Sequence, residues 1–197
     1  MYFYKFAKGL LSIIFRIIYR IEIKGHENIP EKGRVILCSN HISMLDPIII
    51  GISIRRPISF MAKKELFKNP FFAKLLKALT AFPVDREGSD LTAIRNSINV
   101  LKEERILGIF PEGTRTKKMD IESAKAGVSL IAYKGKAPVI PVFIETNYRL
   151  FSNINVYIGK QIIVDDLFDK KPKTEDHKEV SKYILKSIYS LKNNRGK

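Results

Sequence analysis

Along the chain, short apolar runs bounded by turn residues alternate with segments in which apolar residues recur every three or four positions. The short runs predict buried strands, which we place at residues 21–23, 35–39, 58–61, 81–84, 106–110, 139–144, 156–158 and 162–164. The helical spacing predicts helices at residues 2–21, from 47, 62–79, from about 91, 123–133 and 174–191. Because strands and helices alternate, the sequence predicts an α/β fold with a mixed, largely parallel central sheet flanked by helices.

The first predicted helix separates charged from apolar residues. Its polar positions form one stripe, Lys5, Lys8, Ser12, Arg16 and Arg20. The other face is apolar and includes Phe3, Phe6, Leu10, Ile13, Ile14, Ile17 and Ile18. The charges interrupt any run long enough to cross a membrane, so we expect residues 1–20 to lie in a membrane interface with their cations near anionic headgroups. The alternative is a helix packed on the core of the single domain that follows, residues 21–197.

Charge and cysteine content narrow the class of partner and the compartment. The 197 residues carry a formal net charge of +15, which implies anionic partners such as phosphate groups, anionic lipid or an acidic carrier protein. Nucleic acid is the alternative anion, but the chain has no helix-turn-helix, aromatic RNA-binding or zinc-ligand pattern, and we expect no nucleic-acid partner. A single cysteine excludes an internal disulfide framework and fits a reducing compartment.

The candidate chemistry centres on His41 and Asp46, which are separated by four residues. On one continuous helix these side chains diverge, and on one strand they point to opposite faces. The preceding apolar run and the following Pro47 predict a strand, a turn and a helix, an arrangement in which the two side chains can meet; Asp46 is then expected to cap the helix. An ionised Asp46 would hold one imidazole nitrogen protonated and leave the other as a general base. The alternative is a loop histidine that merely satisfies backbone groups.

Four blocks, in order, resemble those of the glycerolipid acyltransferases. They are Asn40–Asp46 with its His-x4-Asp motif, Phe82–Arg86, Phe110–Arg115 and Val139–Val142. The likeness covers roughly residues 25–165. It implies a glycerol-3-phosphate acyltransferase-like fold and direct transfer of a fatty acyl group, without an acyl-enzyme, metal or cofactor.

The resemblance also implies the substrates and the location. The donor would be an acyl thioester on acyl carrier protein or coenzyme A, and the acceptor the sn-2 hydroxyl of lysophosphatidic acid, which would give phosphatidic acid. Alternative acceptors are glycerol-3-phosphate and other lysophospholipids, and a non-enzymatic alternative is a peripheral lipid-binding module. We expect a peripheral or monotopic protein on the cytoplasmic face of the cell membrane.

Each motif residue has a predicted role. His41 is the expected base and Asp46 its orienting acid. Guanidinium groups match phosphate oxygens bidentately, so Arg86 and Arg115 are the expected phosphate ligands, with Lys64 or Lys63 adding a point charge. The resemblance implies that Glu112 and Gly113 help to bind the glycerol phosphate, and Thr114 is expected to add a hydrogen bond. For Glu112 the alternative is an ion pair with Arg115 that holds the loop.

A covalent route is the remaining mechanistic alternative. Cys38 and Ser43 both lie near His41 in sequence, so either side chain could act as a nucleophile activated by the imidazole. Cys38 falls within an apolar strand, where a buried, small hydrophobic role is expected. The resemblance implies direct transfer, which assigns Ser43 no covalent step.

Overall fold

The computed structural model, which describes residues 2–85, 91–116 and 118–193, contains one seven-stranded sheet. Its strands are β1 (Arg20–Lys24), β2 (Val35–Ser39), β3 (Ile58–Lys63), β4 (Phe82–Val84), β5 (Ile106–Ile109), β6 (Val139–Glu145) and β7 (Asn153–Ile158). They are ordered β1-β7-β6-β2-β5-β3-β4, and every adjacent pair is parallel except β6 and β7. The predicted mixed, largely parallel sheet is therefore confirmed.

Helices cover both faces of this sheet. They are α1 (Tyr2–Ile18), α2 (Asp46–Ser53), α3 (Pro70–Ala78), α4 (Leu91–Lys102), α5 (Gly127–Gly135) and α6 (Thr174–Ser190). Side chains of α1 and α2 pack in one apolar cluster with the sheet, and those of α4, α5 and α6 pack in the other. The predicted α/β class is confirmed.

The central strand β2 is buried on both faces, as expected for a parallel strand between two helical layers. Val35 and Leu37 belong to the α1–α2 cluster, while Ile36 and Cys38 belong to the α4–α6 cluster. Burial raises the pKa of the Cys38 thiol well above its ordinary value, which keeps it protonated. Cys38 is thus a buried small hydrophobe, as predicted.

Three predicted elements differ from the observed ones. The helix predicted at 62–79 is wrong as a single element, because β3 continues to Lys63 and a 3-10 turn precedes α3. The side chain of Asn69 accepts hydrogen bonds from the backbone N–H groups of Phe71 and Phe72, so α3 has its own N-terminal cap. The strand predicted at 162–164 is reduced to one bridge between Val139 and Ile162, and α5 begins at Gly127 rather than at residue 123.

Helix α1 attaches to the domain through a narrow face. The Tyr4 hydroxyl accepts a hydrogen bond from the Ile58 backbone N–H at 3.1 Å, and Phe15 is buried in the α1–α2 cluster. Lys8 does not face headgroups as predicted, because its ammonium group donates to the Ile54 and Arg55 carbonyl oxygens at the end of α2. Most of the apolar face is exposed, which contradicts packing of that face on the domain core. No helix in the described ranges is long and apolar enough to span a bilayer.

Candidate active site

One edge of the sheet collects the motif residues. Strands β2, β3, β4, β5 and β6 run parallel, so the segments that follow their carboxyl ends emerge at the same edge. This edge holds His41 after β2, the turn Phe110–Thr116 after β5, and the loop 146–152 after β6. Lys64 and Asp85 follow β3 and β4 there.

His41 and Asp46 meet across a strand-turn-helix connection, as the apolar run before His41 and the proline after Asp46 predict. The distance from His41 Nδ1 to Asp46 Oδ2 is 2.9 Å, and the carboxylate is fully buried. Asp46 Oδ2 also accepts hydrogen bonds from the backbone N–H groups of Ile42 and Ser43, both at 2.7 Å. The predicted N-cap role of Asp46 is wrong, because α2 begins at Asp46 itself and its carboxylate turns back towards the loop.

The other imidazole nitrogen of His41, Nε2, is available to accept a proton. With Asp46 ionised, Nδ1 carries the hydrogen of the shared bond, so the lone pair is on Nε2. Within the described part of the chain, His41 Nε2 has no hydrogen-bond partner. The ring stacks on Phe110 with centroids 4.0 Å apart, and Phe60 lies 5.9 Å beyond Phe110. A side chain at Gly108 would collide with the Phe60 ring, since an added Cβ would lie 2.3 Å from it.

The turn Phe110–Thr116 is attached to the main chain of His41 at two points. The His41 backbone N–H donates to Glu112 Oε2 at 2.8 Å, and the Thr116 N–H donates to the His41 carbonyl oxygen at 2.8 Å. Gly113 adopts a φ of +70°, a conformation that favours glycine. Thr114 and Arg115 lie between the two attachments and are exposed. Arg115 is thereby held near His41 with its side chain at the surface.

Glu112 is a buried support of this turn. Its second carboxylate oxygen, Oε1, accepts a hydrogen bond from the Tyr189 hydroxyl of α6 at 2.6 Å. Burial raises the pKa of Glu112, while the hydrogen bonds from Tyr189 and His41 act in the opposite direction. Both oxygens are engaged within the protein, and the alternative ion pair with Arg115 does not form. Nothing in the local sequence signals Tyr189, which lies 77 positions from Glu112.

The remaining predicted cations lie at the neighbouring strand ends. Lys64 forms an ion pair with Asp85, and Lys63 lies 3.7 Å from the Glu65 carboxylate. Asp85 therefore offsets the charge of Lys64. Arg86 follows Asp85 directly but lies outside the described residues, so its predicted phosphate contact stays a prediction.

Two further side chains support the site and were not predicted from the sequence. Asn40 bridges β2 to β6, since its amide donates to the Ile144 carbonyl at 3.0 Å and accepts from the Ile144 N–H at 2.8 Å. Tyr148, on the loop after β6, donates its hydroxyl hydrogen to Asp46 Oδ1. Burial and the adjacent Asp46 charge raise the pKa of Tyr148, so the phenol stays protonated as a donor. Asn40 belongs to a motif block, whereas Tyr148 carries no sequence signal.

A cavity of about 640 Å³ adjoins this edge. Phe110 and Gly113 line its end beside the site. Its walls are mainly apolar side chains from α4, α5 and the strands, including Met61, Ile94, Ile109, Val128, Leu130 and Ile131. A flexible hydrocarbon chain suits such a lining. Among the described residues, no group of three or more His, Cys, Asp and Glu side chains is placed to hold a metal ion.

This chain is similar to known proteins in both sequence and fold. The acyltransferase family model matches residues 20–145. The 1-acyl-sn-glycerol-3-phosphate acyltransferase of Bacillus subtilis is 40% identical over 139 residues, which cover 70% of this chain and 69% of that protein. The Borreliella burgdorferi protein of the same name is 33% identical over 157 residues, covering 75% of this chain and 63% of its relative. The crystal structure of the 1-acyl-sn-glycerophosphate (LPA) acyltransferase PlsC from Thermotoga maritima superposes with a TM-score of 0.74 at 25% identity, covering 98% of this chain and 81% of that one.

Proposed function

The chain belongs to the acyltransferase family, and from this premise we propose that it transfers a fatty acyl group from an acyl thioester to the sn-2 hydroxyl of lysophosphatidic acid. The product is phosphatidic acid. The observation that carries the proposal is the His41–Asp46 hydrogen bond at the sheet edge, with His41 Nε2 left unbonded within the described residues. The names of the relatives support the choice of acceptor.

His41 acts as the general base in this reaction. Nε2 takes the proton of the sn-2 hydroxyl as its oxygen attacks the thioester carbonyl carbon. The resulting tetrahedral intermediate collapses, the carbon–sulfur bond breaks, and the leaving thiolate takes the proton back from the imidazolium. Asp46 stabilises the imidazolium and fixes the ring orientation, and the stacked Phe110 ring limits its rotation.

Arg115 and Arg86 bind the phosphate of the acceptor. Support for Arg115 comes from its place between two backbone contacts to His41, which keeps an exposed guanidinium beside the base. Lys64 lies at the neighbouring strand ends, where Asp85 offsets its charge until an anionic acceptor competes for the ammonium group. Glu112 contributes through the loop that it supports, since both of its oxygens are already hydrogen-bonded, and Thr114 is exposed and able to bind the glycerol phosphate.

The apolar cavity beside Phe110 accommodates an acyl chain. Its position next to the aromatic ring that stacks on His41 would bring a thioester carbonyl near Nε2 while the hydrocarbon stays out of water. Acyl carrier protein and coenzyme A are both acidic, and the basic chain suits either donor.

Helix α1 holds the protein on an anionic membrane surface, where the lipid acceptor resides. Its exposed apolar residues include Phe3, Phe6, Leu10, Ile13 and Ile17. A helix with such a face and flanking cations lies in the plane of the interface. The enzyme works as a peripheral protein on the cytoplasmic face, and its single cysteine fits the reducing compartment on that side.

The decisive assay combines purified protein with lysophosphatidic acid and a panel of acyl thioesters, and it measures phosphatidic acid and free thiol. Glycerol-3-phosphate and other lysophospholipids serve as competing acceptors. We expect His41→Ala to reduce kcat by about 10²–10⁴-fold, because it removes the general base. Cys38→Ala and Ser43→Ala are expected to keep most activity, since neither forms a covalent intermediate. Lipid binding without turnover of any thioester, or a stable acyl adduct on Cys38 or Ser43, would contradict this mechanism.

A further inference from the structure

The loop 146–152, between β6 and β7, exposes two large apolar side chains at the end of α1. Leu150 and Phe151 are each 71% exposed. The backbone N–H of Phe151 donates to the Ile18 carbonyl of α1 at 2.9 Å, and the Arg20 N–H donates to the Ser152 carbonyl at 3.2 Å. The loop is therefore attached directly to the last turn of α1 and lengthens its exposed apolar surface.

Charge favours lipid as the occupant of this surface. Arg149 is exposed next to Leu150, and Arg16 and Arg20 are exposed at the neighbouring end of α1. Apolar side chains flanked by arginines match the headgroup and acyl layers of an anionic bilayer. A protein partner would have to cover the same face of α1 that is already assigned to the membrane.

The same loop reaches the catalytic pair from its other side. Tyr148 donates to Asp46 Oδ1, whereas His41 and two backbone N–H groups use Oδ2. Within the described residues, Tyr148 supplies the hydrogen bond to Oδ1, so it restrains rotation of the carboxylate. Tyr19, which directly follows α1, packs edge-on against the Tyr148 ring with centroids 6.3 Å apart. Tyr148 itself has a φ of +54°, a strained conformation for a residue other than glycine.

We propose that the loop 146–152 is a second membrane contact, made by Leu150 and Phe151, and that Tyr148 on the same loop is a positioning residue for Asp46. This inference rests on the proposed acyltransferase function. It assigns to one short segment both a contact with lipid and the hydrogen bond that supports the catalytic acid. The site is thus held at a fixed depth relative to the membrane from which its acceptor comes.

The membrane contact is tested by sedimentation with vesicles made of equal parts phosphatidylglycerol and phosphatidylcholine. We expect the double variant Leu150→Asp/Phe151→Asp to bind about tenfold more weakly than the wild type, because two apolar side chains are withdrawn from lipid. The matched control is Ile163→Asp/Leu167→Asp, which alters exposed apolar residues outside the loop and α1. Equal binding by the two double variants would overturn the contact. This measurement needs no turnover, so it remains decisive even if the proposed reaction fails.

The positioning role is tested with Tyr148→Phe, which keeps the ring and removes the hydroxyl. We expect kcat to fall about tenfold, with the KM for lysophosphatidic acid and vesicle binding unchanged. Tyr183→Phe on α6, where the side chain is half exposed, is the control. If Tyr148 acts through Asp46, adding Tyr148→Phe to Asp46→Asn will produce no further loss. A full additional tenfold loss, or a Tyr148→Phe rate equal to the control, would overturn this role.

Discussion

At the scale of single residues, two carboxylates fix the ring and the backbone of His41, the proposed base. Asp46 holds the His41 ring through Nδ1, and Glu112 holds the His41 main chain through its N–H. Each carboxylate is in turn hydrogen-bonded by a tyrosine that lies far away in sequence, Tyr148 for Asp46 and Tyr189 for Glu112. The imidazole is therefore oriented before substrate binds, which is the arrangement that general-base catalysis requires.

Tyr189→Phe tests the support of Glu112 by α6. We expect the free energy of unfolding to fall by about 1–3 kcal/mol, because a buried carboxylate loses a hydrogen bond. The pKa of Glu112 should rise further, since the hydroxyl that opposes the burial effect is removed. Urea denaturation followed by circular dichroism measures the change. Tyr183→Phe on the same helix is the control, and identical midpoints for the two variants would contradict the support role.

The sequence predicted the His41–Asp46 contact but neither tyrosine, and the reason is distance along the chain. His41 and Asp46 are five positions apart, so local turn signals were sufficient to bring them together. Tyr148 and Tyr189 lie 102 and 77 positions from their carboxylates, and only the sheet order brings them close. Periodicity carries no information about such contacts.

At the scale of elements, apolar runs located the strands well, whereas helix starts depended on individual hydrogen bonds. The core runs that became β2, β5 and β6 are continuous and apolar, and their positions were predicted to within one residue. The start of α2 was also predicted to within one residue, but the Asp46 carboxylate bonds the preceding loop instead of capping the helix, and Asn69 begins α3 separately from the predicted start at residue 62. Hydrogen bonds of this kind, from a side chain to nearby backbone groups, decide where a helix begins. The pattern of apolar residues does not reveal them.

From the buried His177 at the contact between α5 and α6, we expect the stability of the fold to depend on pH. His177 is buried, its Nδ1 lies 2.9 Å from the Ser129 hydroxyl, and the rings of Tyr133 and Phe168 flank it. Burial lowers the pKa of His177, with a smaller opposing contribution from Asp176 and a reinforcing one from Lys134. At a pH between the pKa of His177 in the folded protein and its pKa in the unfolded chain, the unfolded chain binds more protons. The contribution of His177 to stability is therefore fully present above the unfolded pKa and is lost as the pH falls towards the folded pKa.

His177→Asn removes this titration and keeps a polar group facing Ser129. We expect the wild type to lose stability as the pH falls below about 6.5, the ordinary pKa of histidine, and the variant to lose less over the same interval. Urea unfolding across a pH series measures the two slopes. His26→Asn changes an exposed histidine and serves as the control. Parallel curves for His177→Asn and the wild type would show that His177 does not contribute to the acid sensitivity.

At the scale of the whole molecule, the sheet lies between the amphipathic helix α1 and the apolar cavity. Helices α1 and α2 cover one face, while the cavity lies among α4, α5 and the strands on the other. The motif residues sit at the edge between them. This arrangement was not predictable from the amphipathic pattern of α1 alone, since that pattern gives an apolar face but not the layer against which the helix packs.

Charge placed on the outer face of α1 should release the protein from membranes without removing its docking residues. Phe6 and Ile13 are 69% and 63% exposed, whereas Tyr4 and Phe15 hold the helix on the domain. We expect Phe6→Asp/Ile13→Asp to lower vesicle partitioning by about tenfold or more while thermal unfolding stays close to that of the wild type. Sedimentation and calorimetry measure the two quantities. Unchanged sedimentation would count against the interfacial role of α1.

Because β1 pairs with β7, the first strand of the chain cannot join the sheet until the last strand has been made. The strand that follows α1 is joined to the sheet through Asn153–Ile158, which the ribosome makes much later than Arg20–Lys24. Until that late segment emerges, the first strand has no partner and its helix has no finished domain to dock on. The amino-terminal helix and strand therefore wait until most of the chain has been made before the sheet can close beside them.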